Sequence, residues 1–121
     1  PISAETHRRW FRSRLRDLDD CRLYVVETEE GIPVGQVRFE KNNQKWEIDY
    51  SLAPHFRGRG LGRFLLETAL LKLCSEMSGA VVVGRVKKSN LPSCRVFKSL
   101  DFDIQSDEGE EMVVYQRMLH A

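Results

Sequence analysis

Arg57, Gly58, Arg59, Gly60, Leu61, Gly62 and Arg63 follow one another without interruption, and this mix of residue types suits the binding of an anion. Where a glycine-rich turn runs into a helix, unpaired backbone N–H groups and the positive end of the helix dipole converge. Glycines at 58, 60 and 62 allow positive φ and close approach of a ligand, while Arg57, Arg59 and Arg63 add charge-assisted contacts to phosphate. A pyrophosphate is the natural occupant. A Walker loop ends in Gly-Lys-Ser/Thr, and a dinucleotide fingerprint needs Gly-x-Gly-x-x-Gly in the first βαβ of a parallel sheet with a later ribose-binding acid. Neither requirement is met. The plainer reading, a loop that only turns the chain, leaves the arginines and the helix behind them without a purpose.

Other reactive side chains are sparse. Cys21, Cys74 and Cys94 are an odd number with no CxxC or Cys/His spacing, so neither a disulfide framework nor a metal site is expected, and a reducing cytoplasm suits them. Cys94 has no histidine spaced to activate it and reads as a small buried residue. His7, His55 and His120 are scattered and read as surface or packing residues. The net charge of +1 gives no general attraction to nucleic acid, yet Arg57, Arg59, Arg63, Arg85, Lys87 and Lys88 can gather into a patch for one anionic ligand. The longest apolar stretch, Leu61 to Met77, is interrupted by Arg63, Glu67, Lys72 and Glu76, so neither a membrane span nor a secretory leader is expected.

The elements that must position this segment follow from periodicity. At 121 residues and 41% apolar content the chain, residues 1–121, has the size of one domain with one modest core. Trp10, Phe11, Leu15 and Leu18 recur at helical spacing, which predicts an amphipathic helix over Ser3 to Leu18. Leu23 to Thr28 and Val34 to Glu40 read as a hairpin around Glu29-Glu30-Gly31-Ile32-Pro33, and Trp46 to Leu52 alternates as a third antiparallel strand. Leu61 to Met77 carries a wide apolar stripe, and Ala80 to Val86 is a continuous apolar run of strand length. Pro92 suits the first turn of a short helix to Leu100, and Phe102 to Gln105 with Met112 to Leu119 form a last hairpin. The order predicts an α+β fold with a mixed, mostly antiparallel sheet, one central parallel step and flanking helices.

Two segments carry a family resemblance. Arg57 to Gly62 resembles the Gln/Arg-x-x-Gly-x-Gly/Ala signature of the GNAT acetyltransferases, and Asn90 to Phe102 resembles their Asn-x-x-Ala/Ser-x-x-x-Tyr-x-x-x-Gly-Phe segment. The likeness covers Leu23 to Leu119, and it implies that the family's opening strand and first helix lie before Pro1, as in a truncated chain or the C-terminal domain of a longer protein. The opening Ser3 to Phe11, the hairpin Gly31 to Phe39 and Glu47 to Leu52 are similar to GNAT domains associated with bacterial amino-sugar biosynthesis.

What the resemblance implies is an N-acetyltransferase that moves acetyl from acetyl-CoA to a primary amine by direct attack. Backbone groups of Tyr50, Ser51 and Leu52 run beside the pantetheine arm, Gly58 to Arg63 hold the pyrophosphate, and Asn90 hydrogen-bonds the arm. The base is Glu47, directly or through water, with Asp49 on the same strand face as the alternative. The plainer reading of either acid is a sheet-face carboxylate paired with an arginine. Phe97 stands where the family places a tyrosine general acid; Tyr50, Tyr115 or water can take that part. Asp101 replaces the glycine before Phe102, and aspartate tolerates left-handed backbone geometry. The acceptor implied is a small-molecule amine, an amino sugar on a nucleotide carrier, with no nucleic acid or membrane partner. Protein or peptide N-terminal acetylation and a non-catalytic coenzyme-A-binding module stand as alternatives. An open sheet edge invites pairing with another chain.

Overall fold

The computed structural model describes residues 9–12, 20–106 and 111–120. Their strands are β1 (Arg9–Arg12), β2 (Cys21–Glu27), β3 (Pro33–Asn42), β4 (Lys45–Leu52), β5 (Val81–Lys87), β6 (Asp103–Ser106) and β7 (Met112–Met118). Two helices, α1 (Gly62–Glu76) and α2 (Leu91–Ser99), and a single 3-10 turn at Pro54–Phe56 complete the described elements. The strands form one sheet in the order β1-β2-β3-β4-β5-β7-β6, antiparallel throughout except where β4 meets β5. This is the mixed α+β arrangement expected. Among the described residues no helix is long and apolar enough to cross a membrane.

Strand alternation decides which face is covered. Tyr24, Val37, Phe39 and Trp46 are buried and share the helix-covered face with Ile48 and Tyr50. The intervening residues make a polar opposite face, on which Gln36 lies across from Ser51, Arg38 from Asp49 and Glu40 from Glu47. Helix α1 lays Leu65, Leu66, Ala69, Leu70 and Leu73 on the covered face. Each fully buried leucine there contributes about 1.5–3 kcal/mol of transfer free energy. Thr68 is buried beside them, while Leu71 remains 61% exposed.

The opening helix requires correction. Within the span expected to be helical, Arg9–Arg12 is a strand, with Trp10 opposite Val26 and Phe11 opposite Val25. The free outer edge of β2 offers a row of backbone partners, and adjacent aromatics suit a strand, so pairing overrides a short helical periodicity. The rest of Ser3 to Leu18 lies outside the described residues.

At the far end, α2 closes with Asp101 at φ 64° and the Phe102 N–H donating to the Phe97 carbonyl at 3.2 Å. That is a left-handed helix termination made without glycine, as expected for an aspartate.

Candidate active site

The parallel step is short, and the site follows from that. Only Trp46 with Val82 and Glu47 with Val83 are in register between β4 and β5, although β4 continues to Leu52 and β5 to Lys87. Beyond Glu47 the two strands part. Main-chain groups of Ile48 to Leu52 that alternate away from β3 therefore face a cleft instead of a neighbouring strand. The cleft has a volume of about 560 Å³; one wall is Ile48 to Leu52, the other is Arg85 with Asn90, Pro92, Ser93 and Phe97, and Arg57 and Gly58 close one end.

Residues 57–63 bring an anion-binding helix terminus to that end. Gly58 and Gly60 have φ of 73° and 71°, a backbone region that side-chain-bearing residues rarely enter. Leu61 precedes α1 without any side-chain cap, and the first turn of α1 holds no acidic residue, so its N–H groups are left for a ligand. Gly62 abuts the cleft wall: a Cβ there would lie 3.7 Å from Tyr50 Cε2. Arg59 is exposed. The Arg57 Nε donates to the Leu52 carbonyl at 3.0 Å, which ties that side chain to the end of β4. Arg63 lies 3.9 Å from Glu67, one turn along the helix.

On α2, Asn90 caps the helix by accepting from the Ser93 N–H at 3.2 Å, and it also lines the cleft. The cap fixes the carboxamide without consuming its NH2 donors. Phe97 is 2% exposed and forms part of the cleft floor. Its ring stacks on Tyr115 with centroids 5.3 Å apart and meets Tyr50 edge-on at 6.2 Å. A Cβ on Gly84 would fall 2.4 Å from Phe97 Cζ, so that glycine is what lets α2 sit this close to β5. The Tyr50 hydroxyl is 2.9 Å from Ser93 Oγ, with both residues lining the cleft. Burial raises the Tyr50 pKa, partly offset by that hydrogen bond, and burial also pushes Tyr115 up to about 12.

The two acids separate. Asp49 is exposed and lines the main cleft. Glu47 lines a second cleft of about 290 Å³, which it shares with Asn42, Asn43, Lys45, Gln105 and Gln116, and which has Arg85 in common with the first. Its Oε1 is 2.8 Å from Arg85 Nη1, and its Oε2 accepts from Asn42 Nδ2 at 2.8 Å. The Asn42 hydrogen bond is the largest influence on its pKa, followed by burial, which opposes it; with the Arg85 contact added, the pKa lies below the usual carboxylate value.

Nine of the residues singled out from sequence thus meet in the main cleft: Asp49, Tyr50, Ser51, Leu52, Arg57, Gly58, Arg85, Asn90 and Phe97. Arg59, Gly60, Leu61, Gly62 and Arg63 stand beside it at the start of α1, with the Leu61 side chain turned into the core. Sequence reasoning missed the Tyr50–Ser93 hydroxyl pair and the Asn42–Glu47–Arg85 cluster. The only available signal was strand parity, which puts Glu47 and Arg85 on one face but does not fix the parallel register between them.

Residues 1–103 match the family profile described as Acetyltransferase (GNAT) domain. No curated protein sequence matches the chain. The structure is similar to that of spermidine N-acetyltransferase from Vibrio cholerae in complex with CoA and spermine, with a TM-score of 0.72, 18% identity and coverage of 83% of this chain and 66% of that one. The dodecameric form of the same enzyme in an intermediate state gives a TM-score of 0.72 at 18% identity, over 84% of this chain and 66% of that one. RimL, a ribosomal L7/L12 alpha-N-protein acetyltransferase, gives 0.70 at 17% identity, over 85% and 72%. The chain therefore spans 66% of the length of the spermidine acetyltransferase it resembles. With the family profile matched over residues 1–103, the chain belongs to the GNAT acetyltransferase family.

Proposed function

We propose that this domain transfers acetyl from acetyl-CoA to a primary amine by direct attack of the amine on the thioester. The observation that carries this reading is the cleft where β4 and β5 part, ending at the uncapped N-terminus of α1. The start of α1 and Gly58 to Arg63 suit a pyrophosphate. The main-chain edge of Tyr50, Ser51 and Leu52, where the Leu52 carbonyl also accepts from Arg57 Nε, suits the amides of a pantetheine arm, with the Asn90 carboxamide opposite and Phe97 as an apolar floor. When bound, acetyl-CoA supplies an acyl carbon that is already activated.

The roles divide by face. Glu47, or Asp49 as the alternative, takes the proton from the attacking amine, directly or through water, as the N–C bond forms. The C–S bond then breaks, and the thiolate accepts a proton. Phe97 has none to give. Among the described residues Tyr50 is the tyrosine lining the cleft, and its raised pKa keeps its hydroxyl protonated as a donor.

An amino sugar on a nucleotide carrier is the acceptor we favour. Its support is the likeness of Glu47 to Leu52 and of the first hairpin to domains of amino-sugar biosynthesis, together with the side-chain amides around the second cleft, which suit a hydroxylated ligand. Phe97 supports a second reading, a coenzyme-A-binding module without turnover. Acetyl-CoA consumption against a panel of amino sugars, polyamines and peptides separates these. Turnover with an amino-sugar nucleotide is expected; tight acetyl-CoA binding with no turnover on any amine contradicts the enzyme reading, and turnover confined to polyamines or peptides contradicts the acceptor.

A further inference from the structure

Arg85 lines both the cleft between the parted strands and the cleft on the polar face. It stands two residues beyond Val83, the register partner of Glu47, and so lies just past the point where β4 and β5 separate. Its guanidinium holds one Glu47 oxygen at 2.8 Å while Asn42 holds the other at 2.8 Å. The carboxylate is thereby gripped from β5 on one side and from the end of β3 on the other, which leaves it little freedom to rotate.

We propose that Arg85 is a positioning residue that fixes the Glu47 carboxylate at the junction of the two clefts, facing an acceptor nitrogen that enters from the polar face. This rests on the functional reading above, in which Glu47 serves as base. A lone carboxylate at that junction can turn toward Lys45 or toward solvent; a carboxylate clamped by Arg85 on one oxygen and Asn42 on the other keeps a fixed orientation and about one open lone-pair site on each oxygen for the acceptor.

The charged surroundings of Glu47 are defined on every strand that meets it. On β4 itself Lys45 and Asp49 flank it at two residues' distance, and Glu40 on β3 lies opposite, 3.0 Å from Arg38. Strand β5 contributes Arg85, while β7 and β6 contribute the neutral Gln116 and Gln105. Lys45 is drawn away to Gln116 Oε1 at 2.8 Å. Arg85 is therefore the cation in direct contact with the carboxylate, and its removal leaves Glu47 facing Glu40 and Asp49. The acid limb of activity must then move to higher pH.

The test is the pH profile of kcat/KM for the amine in Arg85→Gln, Arg85→Lys and Glu47→Gln, with carbon-13 NMR titration of the Glu47 carboxyl and acetyl-CoA affinity measured on the same proteins. In Arg85→Gln the acid limb and the Glu47 titration are expected to rise together by about one pH unit, so that kcat/KM below the limb falls about tenfold. Acetyl-CoA affinity is expected to stay within about twofold, Arg85→Lys to restore part of the shift, and Arg85→Gln to add nothing in the Glu47→Gln background. An unmoved acid limb in a folded, active Arg85→Gln overturns the proposal alone, as does a loss confined to acetyl-CoA affinity, which assigns Arg85 to the cofactor phosphates. Absence of turnover in the parent protein with every amine overturns the functional reading and this proposal with it.

Discussion

Glu47 and Asp49 lie two residues apart on one strand face, but their neighbours differ. Glu47 is held by Asn42 and Arg85 and kept ionised below the usual carboxylate range; Asp49 is exposed in the main cleft. Glu47→Gln is expected to lower kcat by 10²-fold or more, on the order of the contribution of a general base, and to leave acetyl-CoA affinity nearly intact. Steady-state rates at neutral pH check this; a rate equal to the parent moves the role to Asp49 or to solvent. Tyr50→Phe is expected to lower kcat with little change in the KM for acetyl-CoA, since only a hydroxyl that meets Ser93 is removed; an unchanged kcat assigns the leaving proton to water. Glu47 and Tyr50 were picked out by the resemblance to the GNAT family, and strand alternation adds only that Asp49 shares a face with Glu47. Their partners were not legible in the sequence, because Arg85 reaches Glu47 through a parallel register that no local pattern encodes, and Asn42 reaches it across a turn.

At the scale of elements, α1 and its preceding loop were legible almost to the residue. A glycine-rich start and a stripe of Leu65, Ala69, Leu70 and Leu73 are local signals, and the helix observed, Gly62–Glu76, differs by one residue at each end from the stretch Leu61 to Met77. The opening segment was misread because its strand at Arg9–Arg12 depends on a partner, β2, that periodicity does not see. The seat of α2 on β5 rests on Gly84, whose added Cβ would meet the Phe97 ring at 2.4 Å. Gly84→Ala is therefore expected to destabilise the protein by about 1–3 kcal/mol through overpacking. Denaturant unfolding of the variant checks this, and a midpoint equal to the parent's contradicts the close contact between α2 and β5.

Among the described residues one face of the sheet lies under two helices and the other carries polar side chains, so on the proposed reading cofactor and acceptor approach from opposite sides through the gap between β4 and β5. The aromatic stack that floors this gap also ties fold stability to pH. Tyr115 is 2% exposed and its pKa is pushed up to about 12, against an ordinary value of about 10. Between those values the unfolded chain loses a proton that the folded one keeps, so stability falls as pH rises through that window. Denaturant midpoints at pH 9 and pH 11.5 are expected to differ less in Tyr115→Phe than in the parent; an equal difference in both places the proton elsewhere.

The claim on which the rest depends is that the loop from Arg57 to Gly62 and the start of α1 bind the pyrophosphate of acetyl-CoA. Calorimetric titration of acetyl-CoA into the parent protein and into Gly60→Val tests it most directly, because valine at φ 71° cannot keep the loop in place. One saturable site in the parent, weakened at least tenfold in the variant (about 1.4 kcal/mol), is the expected result. No saturable binding to the parent, or equal affinity in both, contradicts the account.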